Sequence, residues 1–439
     1  MTSIAAGALI AWLSLRDNEP SYQGKTLTEW VNSVSGGSPD QAEGNPMDAR
    51  ERRREEATDA IHHIGTNALP CLLKWINYEP RPGQHRLETL VDHLPAKIQD
   101  NSFLQSLLRN RDQEQAETAS VVFSILGPEA HGAVPALTRL MLRTNRPVAC
   151  YCAMEALSSL GPDALPPLLD VINSPRFPHR RPAIEAVGFM HYMGTNASPA
   201  VPVLAGCIKD SDPAVAETAA AALGKLQIEA ELSVPALEAG LQGTNEGVRV
   251  SAANSLAKFK AQASPAVPLL IRCMKDKNLA VAEASVTALN TLHLEPDLCV
   301  PALVEALQGT NGAIRWHAAL ALAKFGVQAR PAVPALVNCS KDQDVFVAEW
   351  AIFALGHLHL DPELSVPALT DGFRHANGNI RFESVRSLTN FGARARPAVP
   401  ALLKALGDPD PLVRKEVRNT LRQIAPETLA PQAPQATSK

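Results

Sequence analysis

Seven prolines fix what this chain can fold into. Pro202, Pro235, Pro268, Pro301, Pro334, Pro367 and Pro400 each follow the last by 33 residues, and each sits in Val-Pro-Ala or a close variant. A fixed period of that length is the signature of units that stack because none can bury its apolar face alone. Each unit reads as two helices. The first opens on proline, whose missing N–H is harmless in a first turn, as in Arg330-Pro331-Ala332-Val333-Pro334. In the unit that begins at Asp361-Pro362, Asp361 is placed to be the N-cap. The second helix carries Ile314, Ala318, Ala321, Leu322 and Phe325 at helical spacing, one apolar stripe that neighbouring units must cover. Its small residues let helices approach closely.

The pattern of Asp or Asn, two residues, Val/Ile-Arg and then an Ala-rich stripe ending in Leu, preceded by Val-Pro-Ala-Leu, resembles HEAT repeats of the short bacterial type also seen in phycobilin lyases. The resemblance runs from Asn67 to Ala425 with one irregular patch. It implies an all-α, right-handed α-solenoid of about twelve HEAT-type helix pairs, an armadillo-like superhelix. Four segments are expected: 1–24, an apolar N-terminal stretch and linker; 25–197, less regular repeats; 198–425, regular repeats; and 426–439, a disordered tail.

A period of 66 lies over the first, marked by Lys209-Asp210, Lys275-Asp276 and Lys341-Asp342 and by Gly243-Thr244-Asn245 and Gly309-Thr310-Asn311. Two unit types therefore alternate. One has Asp212 and Asp344 three residues before its Val anchor; the other has Asn245, Asn311 and Asn377 there, with Arg249, Arg315 and Arg381 after the anchor. HEAT repeats commonly carry both Asp and Arg in one unit as a ladder. Here the ladder reads as split between types, through Asp212, Arg249, Arg315, Asp344, Arg381 and Arg414, each arginine bonding the turn of its neighbour. Duplication of a two-unit block followed by drift explains the pattern equally well.

The net charge of −4, from 41 Lys and Arg against 45 Asp and Glu, supplies no global field for nucleic acid, so none is expected as a partner. Cys207, Cys273 and Cys339 recur 66 residues apart and so stand two units from one another, about 20 Å at usual helix spacings, beyond disulfide or shared-metal reach. They read as small core hydrophobes. The repeat-equivalent His293 and His359 fall where a second helix ends, where a cation suits the C-terminus. The chain has no His-Glu dipeptide, which sets aside the iron-binding HEAT-like hydroxylase that binds through such pairs, and no phosphate loop or Gly-x-Ser-x-Gly. No catalytic residue, metal or cofactor is therefore expected.

At the N-terminus, Ile4 to Leu15 is an apolar run short for a membrane span. An export signal or anchor with its basic start missing is favoured over a capping helix, which implies the cell envelope and membrane association through residues 4–15. Residues 20–30 resemble the opening of many bacterial HEAT-repeat proteins, and Trp30 is expected to pack beneath the first unit as a cap.

Function is left to the surface. Opposite the stripe, on what HEAT stacks make their concave face, Trp316, Leu320, Phe353 and Phe382 form an apolar patch edged by Glu283, Glu349 and Arg386. Trp350 and His317, one position further on, are expected to face the next unit as core. The reading is a non-enzymatic protein-binding scaffold that takes an extended or helical segment of a partner. The alternative is a lyase-type or nucleic-acid-modifying enzyme, or an accessory subunit, built on the same repeats.

Overall fold

Short helices joined by tight corners follow from proline and αL residues placed at fixed intervals. The computed structural model describes residues 19–35, 46–78 and 111–429, and the chain divides into two units, Met1–Cys207 and Ile208–Lys439. The described elements are nearly all helix, and each unit is a stack of helix pairs of the α-solenoid class. The apolar run at 4–15, the loop at 36–45 and the irregular patch from Pro80 to Asn110 lie outside the described residues.

Unit 1 begins with a feature the repeat does not announce, a two-stranded hairpin of Ser21–Tyr22 and Lys25–Thr26, where a linker was expected up to Gly24. It anchors the helix Leu27–Ser35. Trp30 is buried, its indole N–H donates to the carbonyl of Tyr22 at 3.1 Å, and the Lys25 ammonium lies 4.4 Å from the centre of its ring. The stack continues through Pro46–Ile64, Leu69–Ile76, Arg111–Leu126, Val134–Met141, Pro147–Leu157, Leu165–Ile172, Arg180–Phe189 and Ala200–Cys207.

In unit 2 the two unit types differ in how a second helix turns into the next first helix. One corner uses two αL residues, Gln227 and Glu229, His293 and Glu295, or His359 and Asp361, and leads into a continuous helix such as Pro296–Leu307 or Pro362–Asp371. His293 and His359 hold these corners: their N–H groups donate to Leu289 and Leu355, closing the preceding helix. Asp361 makes no side-chain cap bond, contrary to expectation; in its left-handed conformation the carboxylate turns to Arg330. The other corner is a 3₁₀ segment, Ala257–Ala266, Gly326–Ala332 or Gly392–Ala398, feeding a shorter helix such as Val333–Cys339. It carries a positive φ at Lys260, Gly326 and Gly392, again 66 residues apart. Lys260 at φ 53°, ψ −133° holds a conformation natural only to glycine.

The second helices Pro213–Leu226, Glu246–Leu256, Leu279–Leu292, Gly312–Ala323, Val345–Leu358, Gly378–Thr389 and Pro411–Ile424 lie side by side, much closer than the first helices lie to each other. A layer packed more tightly than its partner draws a stack toward itself, so the second helices line the inner side of unit 2. Their contacts are nearly backbone to backbone. A Cβ on Gly356 would sit 2.2 Å from Ser387 Oγ, and one on Gly224 2.3 Å from Ser255 Oγ.

An arginine seam ties consecutive units along the turns. Arg315 donates from Nη1 to the carbonyls of Gly309 at 3.1 Å and Thr310 at 2.9 Å in its own turn, and from Nε and Nη2 to both oxygens of Asp342, each at 2.9 Å, in the next unit. Arg381 repeats this on Asp408 at 2.8 and 3.0 Å. Arg249 reaches Asp276 through Nη2 alone, at 3.2 Å, and its Nε finds no partner among the described residues. The arginines thus span the seam, but the acids are not those expected. Asp212 and Asp344 cap their own helices, accepting from the N–H groups of Ala214 and Phe346. The seam acids stand two residues earlier in each turn, where one oxygen also accepts the N–H of the capping residue, as Asp342 does from Asp344 at 2.9 Å. Arg414 at the C-terminal end bonds the carbonyls of Asp408 and Pro409 in its own turn. Beyond it, Pro426–Leu429 is a 3₁₀ turn, with Glu427 3.0 Å from Arg396 Nη2, so the expected tail at 426 begins with ordered structure.

Candidate inner-face binding site

The second helices of unit 2 are started by side-chain caps: Asn311 on Ala313 and Ile314, Asp344 on Phe346, Asn377 on Asn379. Those caps fix which residues face inward. Ala318, Ala321 and Leu322, Ala348, Ala351 and Leu355, and Val385 and Leu388 are fully buried between helices. The opposite side presents Trp316 and Leu320, then Glu349, Trp350 and Phe353, then Phe382, Glu383 and Arg386.

Three of these rings form one column across two units. Trp316 stacks on Trp350 with centroids 6.1 Å apart, Trp350 meets Phe353 edge to face at 5.4 Å, and Phe353 stacks on His357 at 5.6 Å. Offset and edge-on pairs at such distances are the favourable aromatic geometries. Trp316, Leu320, Phe353 and Phe382 are half-buried rather than fully open. Trp350 is not core. It is half-buried and is the ring that joins Trp316 to Phe353, a role that its position one residue past the expected face concealed. His317 is also half-buried, with Nδ1 2.7 Å from the carbonyl of Ala313.

The polar edge is acidic and crowded. Burial lifts the Glu383 carboxyl above the usual carboxylate range; Arg386, 3.5 Å away, pulls it back, and Glu349 and Glu416 push it up again. Arg386 itself is exposed, and Glu283 and Glu349 are half-buried, neither with an ion pair among the described residues. A carboxylate held in this way gains from any cation brought to it. Unforeseen apolar exposure lies at the helix starts instead, at Leu279, Phe346 and Leu412, the latter two 64% and 62% exposed.

At three buried cysteines the surroundings disfavour the thiolate. Burial lifts Cys299 to about 12 and Cys339 to about 11, with Glu295 and Asp342 adding to each, and raises Cys273. Among the described residues there is no group of three or more His, Cys, Asp or Glu able to hold a metal ion, and no helix long and apolar enough to cross a membrane.

The comparisons with known proteins agree on the class. A family model described as HEAT repeats matches residues 165–257 and 366–436. Yeast importin-β, Kap95p, superposes with a TM-score of 0.54 over 91% of this chain and 56% of its own, at 15% identity. The karyopherin Kap121p bound to the extreme C-terminus of the phosphatase Cdc14p gives 0.50 over 93% of this chain and 46% of its own, at 14% identity. The complex of CpcE and CpcF of phycocyanin lyase from Nostoc gives 0.34 at 22% identity, covering 50% of this chain and 93% of that one. No curated protein matches the sequence. The fold is an all-α solenoid, with HEAT repeats matched over residues 165–257 and 366–436. It spans about half the length of the karyopherins it superposes on, and at these identities the likeness is one of fold.

Proposed function

We propose that this protein is a non-enzymatic scaffold, and that the inner face of unit 2 between Trp316 and Arg386 is where a segment of a partner protein docks. The observation that carries the reading is the aromatic column. Most other repeats put polar or small residues at the positions of Trp316, Trp350 and Phe353, with Val250, Leu320 and Phe382 the apolar exceptions, and the three rings keep part of their surface open to water. Large rings spread over an accessible face are hot-spot material, and a stack that pre-orders them reduces the cost of binding. Glu349, Glu383 and Glu416 beside them favour a segment with both apolar and cationic side chains. Solved structures of the same fold hold protein partners: Kap95p with RanGDP, and Kap121p with the extreme C-terminus of Cdc14p.

The test is quantitative capture by the full chain beside a Trp316→Ala/Trp350→Ala/Phe353→Ala variant, with circular dichroism on both. The reading expects a specific protein retained by the native chain and reduced at least tenfold on an equally helical variant. Equal retention by the two would remove the inner face as the docking site.

A further inference from the structure

Unit 1 carries a second site, independent of the inner face of unit 2. A cleft of about 660 Å³ opens where the helices Arg111–Leu126 and Pro147–Leu157 both end. That volume is in the range of ordinary ligand pockets. Its walls combine two large rings, two carboxylates and several small hydroxyls.

The rings are Phe189, the last residue of the helix Arg180–Phe189, and Tyr192, in the corner that follows it, 54% and 51% exposed. Tyr192 is not loose. Its hydroxyl donates to the carbonyl of Ser158 at 3.1 Å and accepts the N–H of Gly161 at 3.2 Å, so the ring is pinned as a wall. Burial of that hydroxyl raises its pKa, and the Gly161 bond opposes the rise, so the wall stays neutral. The carboxylates are Glu129 and Glu155. Glu155 is exposed and makes no ion pair among the described residues, while Glu129 has only His62 Nδ1 at 3.5 Å. Ser120 on the floor has a buried Oγ with no hydrogen-bond partner among the described residues.

Each part favours positive charge. Helix C-terminal ends carry partial negative charge, ring faces attract cations, and unopposed carboxylates attract them more strongly. His62 and Glu129 remain 40% and 57% exposed, so neither is desolvated as a catalytic acid or base would be, and the cleft is built to bind. We infer that this cleft binds a guanidinium or ammonium group on an alkyl stem, presented as an arginine or lysine side chain of a peptide or as a free alkyl amine. The stem lies between Phe189 and Tyr192, and the cation meets Glu155 and Glu129.

The test titrates full-length protein with N-acetyl-arginine methylamide, its lysine and citrulline counterparts and butylguanidinium, followed by calorimetry or ligand-observed NMR. Citrulline keeps shape and hydrogen bonding but loses the charge. The expected result is saturable binding of the arginine or lysine probe, at least tenfold weaker for citrulline, and at least tenfold weaker again on a Glu129→Gln/Glu155→Gln variant with unchanged helicity. Equal binding of butylguanidinium identifies the free cation as sufficient; tighter binding of the capped amino acids identifies a peptide as the source. Citrulline binding as well as arginine, no saturable binding of any cation, or full affinity in the double variant would each overturn the inference. Because these residues lie in unit 1, none of these outcomes depends on the inner face of unit 2.

Discussion

The outer seam and the inner face of unit 2 are built by the same helices and obey opposite rules. Along the seam every element returns on the 66-residue beat: Arg249, Arg315 and Arg381, with Asp276, Asp342 and Asp408 27 residues after each. On the inner face Glu217, Glu283 and Glu349 keep that beat, but the positions alternating with them change from unit to unit, Val250, Trp316, Phe382. At Arg315 and Arg381 the seam bonds both turn carbonyls and both oxygens of the next unit's carboxylate, whereas the face leaves rings half open and a carboxylate lifted by burial. What repeats holds the stack together, and what departs from the repeat is free to recognise something.

If that division is right, substitutions where the repeat is strict cost folding, and substitutions on the face cost binding. The largest stability loss is expected at Gly356→Ala. A new Cβ would meet Ser387 at its Oγ, Cβ and Cα, the last at 2.8 Å, so the helices must separate, at about 3 kcal/mol. Denaturant unfolding measures it, and adding Ser387→Gly should recover part of the loss.

Arg381→Ala and Arg315→Ala come next, each costing about 2 kcal/mol, reduced from a fully buried pair because the turns stay near water. Arg249→Ala should cost less, since only one of its nitrogens reaches Asp276. The effect of Arg381→Ala carries a pH signature. Hydrogen bonding from Arg381 holds the Asp408 carboxyl below the usual carboxylate range, against its burial. A lowered carboxyl stabilises the fold above its unfolded pKa, near 4, and that share is lost as pH falls through the folded value. The difference between native and Arg381→Ala stabilities should therefore be full at neutral pH and shrink below about pH 4.

Two smaller changes should move the other way. Lys260→Gly removes a left-handed lysine from the place that Gly326 and Gly392 fill, and should gain about 1 kcal/mol in thermal or chemical unfolding. Glu383→Gln should gain a few tenths of a kcal/mol at neutral pH, because burial disfavours the charged form of the native carboxyl and an amide carries no such penalty. A raised carboxyl costs stability above its folded pKa and ceases to cost it below the unfolded one, so this gain should vanish toward acid pH. A loss at position 383 would mean that the face is part of the scaffold and would dissolve the comparison.

The solenoid was legible because proline and apolar positions repeat often enough for periodicity to outweigh local ambiguity. The alternation of unit types was legible too, but its physical content was not. Asp342 and Asp344 both precede the same helix, and only coordinates tell the residue that caps it from the one that receives Arg315. Trp350 was misread for a related reason: one position along a helix is about 100° of rotation, enough to confuse a facing residue with a packed one when the twist between units is unknown. The hairpin at Tyr22 is too short to carry an alternation pattern. The unit 1 cleft could not be read at all, since His62, Glu129, Glu155 and Tyr192 are brought together by corners whose geometry no period announces.

The most direct test of the division between seam and face is photo-crosslinking from single sites of the full chain in its native extract. A photoreactive residue replaces Leu320 on the inner face or, separately, the exposed Lys404 on a first helix. One protein crosslinked from position 320, absent from 404 and lost when Trp350→Ala is added, is the predicted result. The same products from both positions, or products at 320 that survive Trp350→Ala unchanged, would contradict it.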